Sequence, residues 1–271
     1  MLSILNSVSS LTAETALSST QTNLQKTLTE LSTGLKINSG SDDAAGLSIA
    51  NGLQANISAL NQSSQNASDG VGLLQTADGA LSQVTTLLNR AVTLATEASN
   101  GGLSTSQSTA LDTEYQSILT EIGNIGSTTN YNGTAIFGTT ANVFTSDGTT
   151  GGSNTDATAI GALTTAALGL TKTDLTSTAD AQTALTDITA AISTVAANRG
   201  SIGAAVNQLS ATSNVENTEV TNLTSAENNI QNADIGQTVA QMTQYTVLQQ
   251  TGMAALSQSN QAQEAVLKLL Q

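Results

Sequence analysis

No cysteine, histidine, tryptophan or proline occurs among the 271 residues. Without Cys or His, the zinc, haem and iron–sulfur patterns have no ligands to draw on. Nucleophile systems that depend on a histidine base are excluded for the same reason, which leaves carboxylates as the only acid–base groups in number. Zero Cys also means that no disulfide ties stability to the redox compartment.

Charge and aromatic bulk are scarce. Charged residues make up 10% of the chain, aromatic residues 2%, and the net charge is −14. The only basic residues are Lys26, Lys36, Arg90, Lys172, Arg199 and Lys268, and they are scattered. Nucleic-acid binding needs clustered cations to displace counterions, so it is not expected. An anionic membrane surface would repel this chain. The longest apolar runs are too short to span a bilayer. The N-terminus shows no basic region ahead of an apolar stretch, so no cleavable signal peptide is expected, and export would take another route.

What is present is small, polar and periodic. The hydrophobic fraction, 38%, is low for one compact globule, yet the apolar residues recur in steps of three and four. Leu17, Leu24, Leu28, Leu31 and Leu35 keep this step. So do Leu53, Ile57, Leu60, Ala67, Val71 and Leu74, then Ala77, Leu81, Val84, Leu88, Ala91 and Ala95. Leu111, Tyr115, Ile118, Ile122 and Ile125 predict another helix. Leu185, Ile188, Ile192, Val195, Arg199, Ile202, Val206 and Leu209 predict a long one near the end of the chain. Sustained a/d spacing with small and aliphatic knobs predicts a mainly α fold of long, coiled-coil-like helices. Arg199 falls on the seam, where its stem packs and its guanidinium needs a carboxylate at the edge.

The breaks are equally legible. Asn38 to Asp43 is a turn cluster, with Asp42 or Asp43 placed to cap the next helix. Asn100-Gly101-Gly102 ends a helix, with glycine available for a left-handed cap. Tyr131-Asn132-Gly133 ahead of Ala135-Ile136-Phe137 predicts a hairpin turn. Residues 139–178, rich in Thr, Gly, Ser and Asp, predict a small irregular or β-containing surface insert that faces solvent and cannot seal a core. Both chain ends carry an apolar seam almost free of charge.

Several long motifs resemble those of a known family. Residues 31–49 (LSTGLKINSGSDDAAGLSI), 66–70 (NASDG) and 74–81 (LQTADGAL) are similar to the N-terminal signature of bacterial flagellins. Residues 227–234 (ENNIQNAD), 256–261 (LSQSNQ) and 266–270 (VLKLL) resemble the C-terminal signature. The likeness covers about the first 140 and last 90 residues.

The resemblance implies a non-enzymatic subunit without cofactor or metal that polymerises into the flagellar filament. It implies an inner layer from residues 1–40 and 231–271, with Leu5, Leu17, Leu24, Leu28, Leu31, Val239, Met242, Leu248, Leu256, Leu267 and Leu270 in self-assembly. A helical rod layer with a β-hairpin would come from 41–138 and 179–230. Asn38, Asp42, Asp43 and Gly46 would form the loop between layers. Arg90, Leu94 and Glu114, with Arg90 and Leu94 sharing a helix face, would match a patch contacted by the vertebrate flagellin-sensing Toll-like receptor. Further implied partners are an export chaperone, the filament cap and hook-associated proteins, reached through the flagellar type III export apparatus.

The sequence departs from the family at Gln65, where Arg is usual, and at Val92 and Thr93, where charged residues are common. The alternatives are a hook–filament junction protein and a coiled-coil adaptor that does not polymerise. An insert carrying a zinc protease is excluded, because its His-Glu-x-x-His motif needs histidine.

Overall fold

A computed structural model describes residues 8–147 and 154–269. Five helices dominate: α1 (Val8–Thr33), α2 (Ala44–Ala98), α3 (Thr105–Thr128), α4 (Thr178–Gln231) and α5 (Ile235–Leu269). Two short antiparallel hairpins lie between α3 and α4. They are β1 (Asn130–Tyr131) with β2 (Thr134–Ala135), and β3 (Thr140–Thr145) with β4 (Asn154–Ala159). The mainly α expectation holds. The chain divides into two compact units, one from residues up to Ala55 and from Asn222 on, the other Asn56–Thr221.

Threonine is a poor helix former, so helices this rich in it need a local explanation. Its hydroxyl bonds back to the carbonyl four residues earlier in every helix: Thr20 to Ala16 (2.8 Å), Thr85 to Leu81 (2.8 Å), Thr113 to Thr109 (2.8 Å), Thr189 to Leu185 (2.8 Å), Thr243 to Val239 (2.9 Å). The hydroxyl is thereby satisfied within its own helix, and the methyl is left to pack.

In the larger unit α2 and α4 run antiparallel, tied at Arg199–Asp78, Ser64–Ser213 and Ser63–Glu216. The heptad positions predicted from sequence form its core. Leu74, Leu81, Val84 and Leu88 of α2 meet Ile188, Val195, Ile202 and Leu209 of α4, all buried. Arg199 behaves as its seam position requires. Its stem stays half-buried and its guanidinium reaches Asp78 through two bonds, Nε–Oδ1 at 2.7 Å and Nη2–Oδ2 at 3.2 Å. That pairing holds the Asp78 carboxyl below its ordinary pKa.

A third layer covers this pair, and it is built from two kinds of structure. Beside the later turns of α2 it is α3, with Tyr115, Ile118, Leu119 and Ile122 buried. Its start is a capping box that the sequence reading missed. Ser104 Oγ accepts from Gln107 N and the Gln107 side chain accepts from Ser104 N. Beside residues 63–70 of α2 the layer is the β3–β4 hairpin. Val143 presses onto Gly70, where an added Cβ would lie 2.5 Å from Val143 Cγ2 and 3.1 Å from Leu209 Cδ1. Asn66 Nδ2 donates to the Phe144 carbonyl (3.2 Å) and Ser146 N donates to Ser63 Oγ (2.8 Å). Ser63 in turn donates to the buried carboxylate of Glu216, whose Oε2 has no partner among the described residues.

The segment 139–178 therefore does not match the expectation of an insert unable to seal a core. Ala141, Val143, Ile160, Leu163, Leu168, Leu170 and Leu175 are all buried in the same cluster as the helices. The few apolar residues alternate or cluster so that each turns inward, and polar side chains staple the segment down. Thr173 donates to the Leu170 carbonyl (2.9 Å), so the buried Tyr115 hydroxyl donates to Thr173 Oγ1 at 2.6 Å. Burial raises the Tyr115 phenol pKa. Gln116 Nε2 donates to the Thr173 carbonyl (3.0 Å), and Asp112 Oδ1 accepts from Leu175 N (2.9 Å).

The predicted hairpin turn is present. Asn132 and Gly133 both have positive φ (50° and 79°) between the paired Tyr131 and Thr134, the two-residue turn that this dipeptide favours. Gly101 and Gly102 do follow α2, but neither takes the left-handed conformation expected of them. Gly34, at φ 75°, takes it at the end of α1 instead.

Two measurements follow. Gly123 and Gly126 lie three residues apart in α3. A Cβ at Gly123 meets open space, whereas one at Gly126 collides with the Leu163 carbonyl and sits 3.1 Å from Leu163 Cβ. In thermal unfolding, Gly123→Ala raises stability by about 0.5–1 kcal/mol and Gly126→Ala lowers it by about 1–3 kcal/mol. Deleting residues 145–170 removes four of the buried aliphatic residues just named. Circular dichroism is expected to show loss of the cooperative unfolding transition.

Candidate functional site

In the smaller unit α1 and α5 lie antiparallel. Ser10 and Ser259 share a hydrogen bond at 2.8 Å, and Gly252 sits under Leu17, with space for a Cβ only 3.2 Å from Leu17 Cδ1. At the far end the backbones themselves join. Leu35 and Asn232 form an antiparallel bridge, with Lys36 N to Gln231 O and Ala233 N to Gly34 O each at 2.8 Å. The left-handed Gly34 makes this possible, because it ends α1 while its N–H still reaches Glu30 O (2.8 Å). Lys36 Nζ adds a bond to Asn229 O at 3.3 Å. The two ends of the chain are thus stitched through main-chain groups.

The described side chains of α1 and α5 contain no buried large apolar residue. The two that are buried are Thr27 and Thr238, each bonded back to its own helix at 2.9 and 2.8 Å. Leu17, Leu24, Leu31, Met242 and Leu256 are half-buried, whereas Leu28, Val239 and Leu248 are exposed. Val8, Leu11, Ile235, Val247 and Met253 extend the wet apolar surface. Leu5, Leu270 and the side chain of Leu267 lie outside the described residues.

The loop after the bridge divides the labour of its two aspartates. Asp43 caps α2, its Oδ1 accepting from Ala45 N (3.1 Å) and Gly46 N (2.9 Å). Gly46 has no room for a side chain, since a Cβ there would lie 2.8 Å from Ile37 Cδ1. Asp42 instead holds the loop to α1. Its Oδ2 accepts from Asn38 N (3.2 Å), Ser39 N (3.0 Å) and Ser39 Oγ (3.0 Å), and its Oδ1 pairs with Lys26 Nζ at 3.0 Å. Asn38 closes the loop by donating to Leu35 O at 2.7 Å. The four residues Asn38, Asp42, Asp43 and Gly46 are thus brought together in one compact turn. Both carboxylates are engaged by backbone donors, a structural arrangement.

The third group of sequence-selected residues separates. Arg90 and Glu114 form an exposed pair between α2 and α3, Nη2–Oε1 2.7 Å and Nε–Oε1 2.8 Å. Leu94, one turn on, is 1% exposed and belongs to the core, so Arg90 and Leu94 do not share an outer face. The heptad explains it: Leu94 falls in the buried step between Ala91 and Ala98.

Lys26, with Ser39 and the loop amides, lowers the Asp42 carboxyl from its ordinary 3.8 to about 2, and Asp42 raises Lys26. A carboxylate depressed in the folded state contributes stability above its unfolded pKa and loses it as pH falls through the folded value. The tie between loop and α1 is therefore full above about pH 4 and weakens down to about pH 2. The protection of the amides of residues 38–46, measured relative to their intrinsic exchange at each pH, should fall across that interval. In Asp42→Asn the same amides should be faster already at pH 5 and show no further step.

Comparison with known proteins identifies the family. A family model of the bacterial flagellin N-terminal helical region matches residues 4–142, and one of the C-terminal helical region matches residues 185–270. A flagellin of Halalkalibacterium halodurans is 36% identical over 250 residues, 91% of either chain. The flagellar filament 33 kDa core protein of Treponema phagedenis is 30% identical over 282 residues, 98% of either chain. The crystal structure of Bacillus cereus flagellin superposes with a TM-score of 0.50 at 30% identity, covering 56% of this chain and 88% of that one. No described helix is long and apolar enough to cross a membrane. By its sequence and its fold alike, the chain belongs to the bacterial flagellins, structural subunits of the flagellar filament.

Proposed function

We propose that the α1/α5 pair is the inner assembly element of the filament and that it completes its core only against other copies. The observation that carries this is the exposed apolar surface of that pair. Eight large apolar side chains, Val8, Leu11, Leu28, Ile235, Val239, Val247, Leu248 and Met253, stand 40–72% exposed. Full burial of such a side chain is worth about 1.5–3 kcal/mol. Two helices alone give each other a single stripe to cover, and neighbouring subunits supply the remaining faces. The near-absence of charge on this pair supports the same reading, since an unpaired charge within a packed wall is costly.

On this proposal residues 1–40 and 231–271 make the inner layer, 41–138 and 179–230 the rod around it, and 139–178 the outward-facing part of the rod. Before assembly the apolar face of α5 fits a chaperone groove that takes an amphipathic helix. Passage through the type III export apparatus, with filament cap and hook-associated proteins at the growing end, belongs to the same proposal. Recognition by the flagellin-sensing Toll-like receptor would rest on Arg90 and Glu114, with Leu94 supporting them from beneath.

Hydrogen exchange on dilute monomer and on seeded polymer tests the central step. Amides of α1 and α5 are expected to exchange fast in the monomer and to be protected in the polymer, while those of residues 74–98 stay protected in both. Strong protection of α1 and α5 in dilute monomer would reject the proposal.

A further inference from the structure

In the larger unit the α2/α4 pair has, among the described residues, a third layer on one face. Residues 63, 66 and 70 of α2 touch the β3–β4 hairpin and the residue after β3, as does Gln208 of α4 (Nε2 to Asp156 Oδ1, 2.6 Å). At about 100° per residue, positions 67, 68 and 71 of α2 and 210, 213 and 214 of α4 turn to the other face of the pair. There the helices leave an open groove of about 250 Å³, floored by Ala67, Val71 and Leu209 and rimmed by Ser68, Ser213 and Asn214. It is smaller than the roughly 300–1,000 Å³ of small-molecule pockets and has no charged group in its lining, so it suits one apolar side chain from a macromolecule.

The hairpin face carries such a side chain. The strand β3 alternates strictly, with Ala141, Val143 and Thr145 inward and Thr140, Asn142 and Phe144 outward. Two of the outward residues are polar, as a solvent face requires. Phe144, one of two phenylalanines in the chain, is 49% exposed there. An aromatic knob on one face and an uncharged hollow, with an apolar floor and a Ser/Asn rim, on the opposite face of the same unit are two halves of a head-to-tail contact. Contacts of this kind repeat without closing and generate open polymers, whereas a contact of one patch with itself stops at two copies. Between copies that each carry a net charge of −14, a neutral apolar contact also avoids like-charge repulsion.

We propose that Phe144 of one copy inserts into the Ala67/Val71/Leu209 groove of a neighbouring copy. This rests on the reading of the chain as a polymerising subunit. The full-length chain is suited to a direct test because it has no cysteine of its own. Two variants, Phe144→Cys and Ser213→Cys, are mixed, seeded with filament fragments and treated with a short bis-maleimide. Circular dichroism first confirms that both are folded. Species linked 144 to 213 are expected in the polymer and not in dilute monomer. A polymer that yields only 144–144 or 213–213 links, or none between these positions, overturns the proposal while leaving the subunit reading intact. Failure of the unmodified protein to extend seeds overturns that reading and the proposal with it. Independently, Phe144→Ser should raise the critical concentration for seeded growth roughly tenfold. An unchanged critical concentration counts against the contact, and Val215→Ser, on the hairpin side but outside β3, is expected to leave it unchanged.

Discussion

Two helices lying side by side each bury a single stripe, and whether a third layer covers them decides how each unit of this chain behaves. In the larger unit α3 and the β3–β4 hairpin together supply that layer, and Leu74, Leu81, Leu88, Ile188 and Ile202 fall to 2% exposure or less. In the smaller unit α1 and α5 have only each other, and the same three-and-four spacing of leucines leaves Leu28 and Leu248 wet. A chain with 2% aromatic residues cannot compensate with bulk, so it must find its missing layer elsewhere. On the function proposed above, neighbouring copies supply the missing layer.

The shortage of charge is matched by how the cations are used. Lys26, Arg90 and Arg199 each pair with a carboxylate on another segment, and Lys36 reaches a main-chain carbonyl across the bridge between the chain ends. Exposed ion pairs add little stability. Their value here is positional. Arg199 and Asp78 set the stagger of α4 on α2, and Lys26 and Asp42 tie the loop after α1 back onto that helix. Threonine and serine do the remaining polar work within single helices, where back-bonding removes the need for a partner.

The 139–178 segment shows how composition misleads when apolar residues are few but well placed. Val143 reaches the core because Gly70 leaves a hollow beneath it, and Leu163 does so because Gly126 lets its backbone approach. Two glycines on distant helices thus decide the fate of a segment whose own sequence is mostly Thr, Gly and Ser. Their role was invisible from the chain alone, since neither takes an unusual backbone conformation.

Periodicity by itself determined the helices, their approximate limits, the stripes that α2 and α4 each bury and the seam position of Arg199, because a three-and-four step can bury a stripe in only one geometry. The Asn132-Gly133 turn and an aspartate cap at position 42 or 43 were equally local, and so legible. Tertiary structure alone decided three other matters. It gave the left-handed cap to Gly34 rather than to Gly101 or Gly102. It assigned Asp42 to Lys26, and it turned Phe144 outward on one face with an uncharged groove on the other. Each of these depends on which residues from distant parts of the chain come to face one another, and spacing along a single segment does not carry that information.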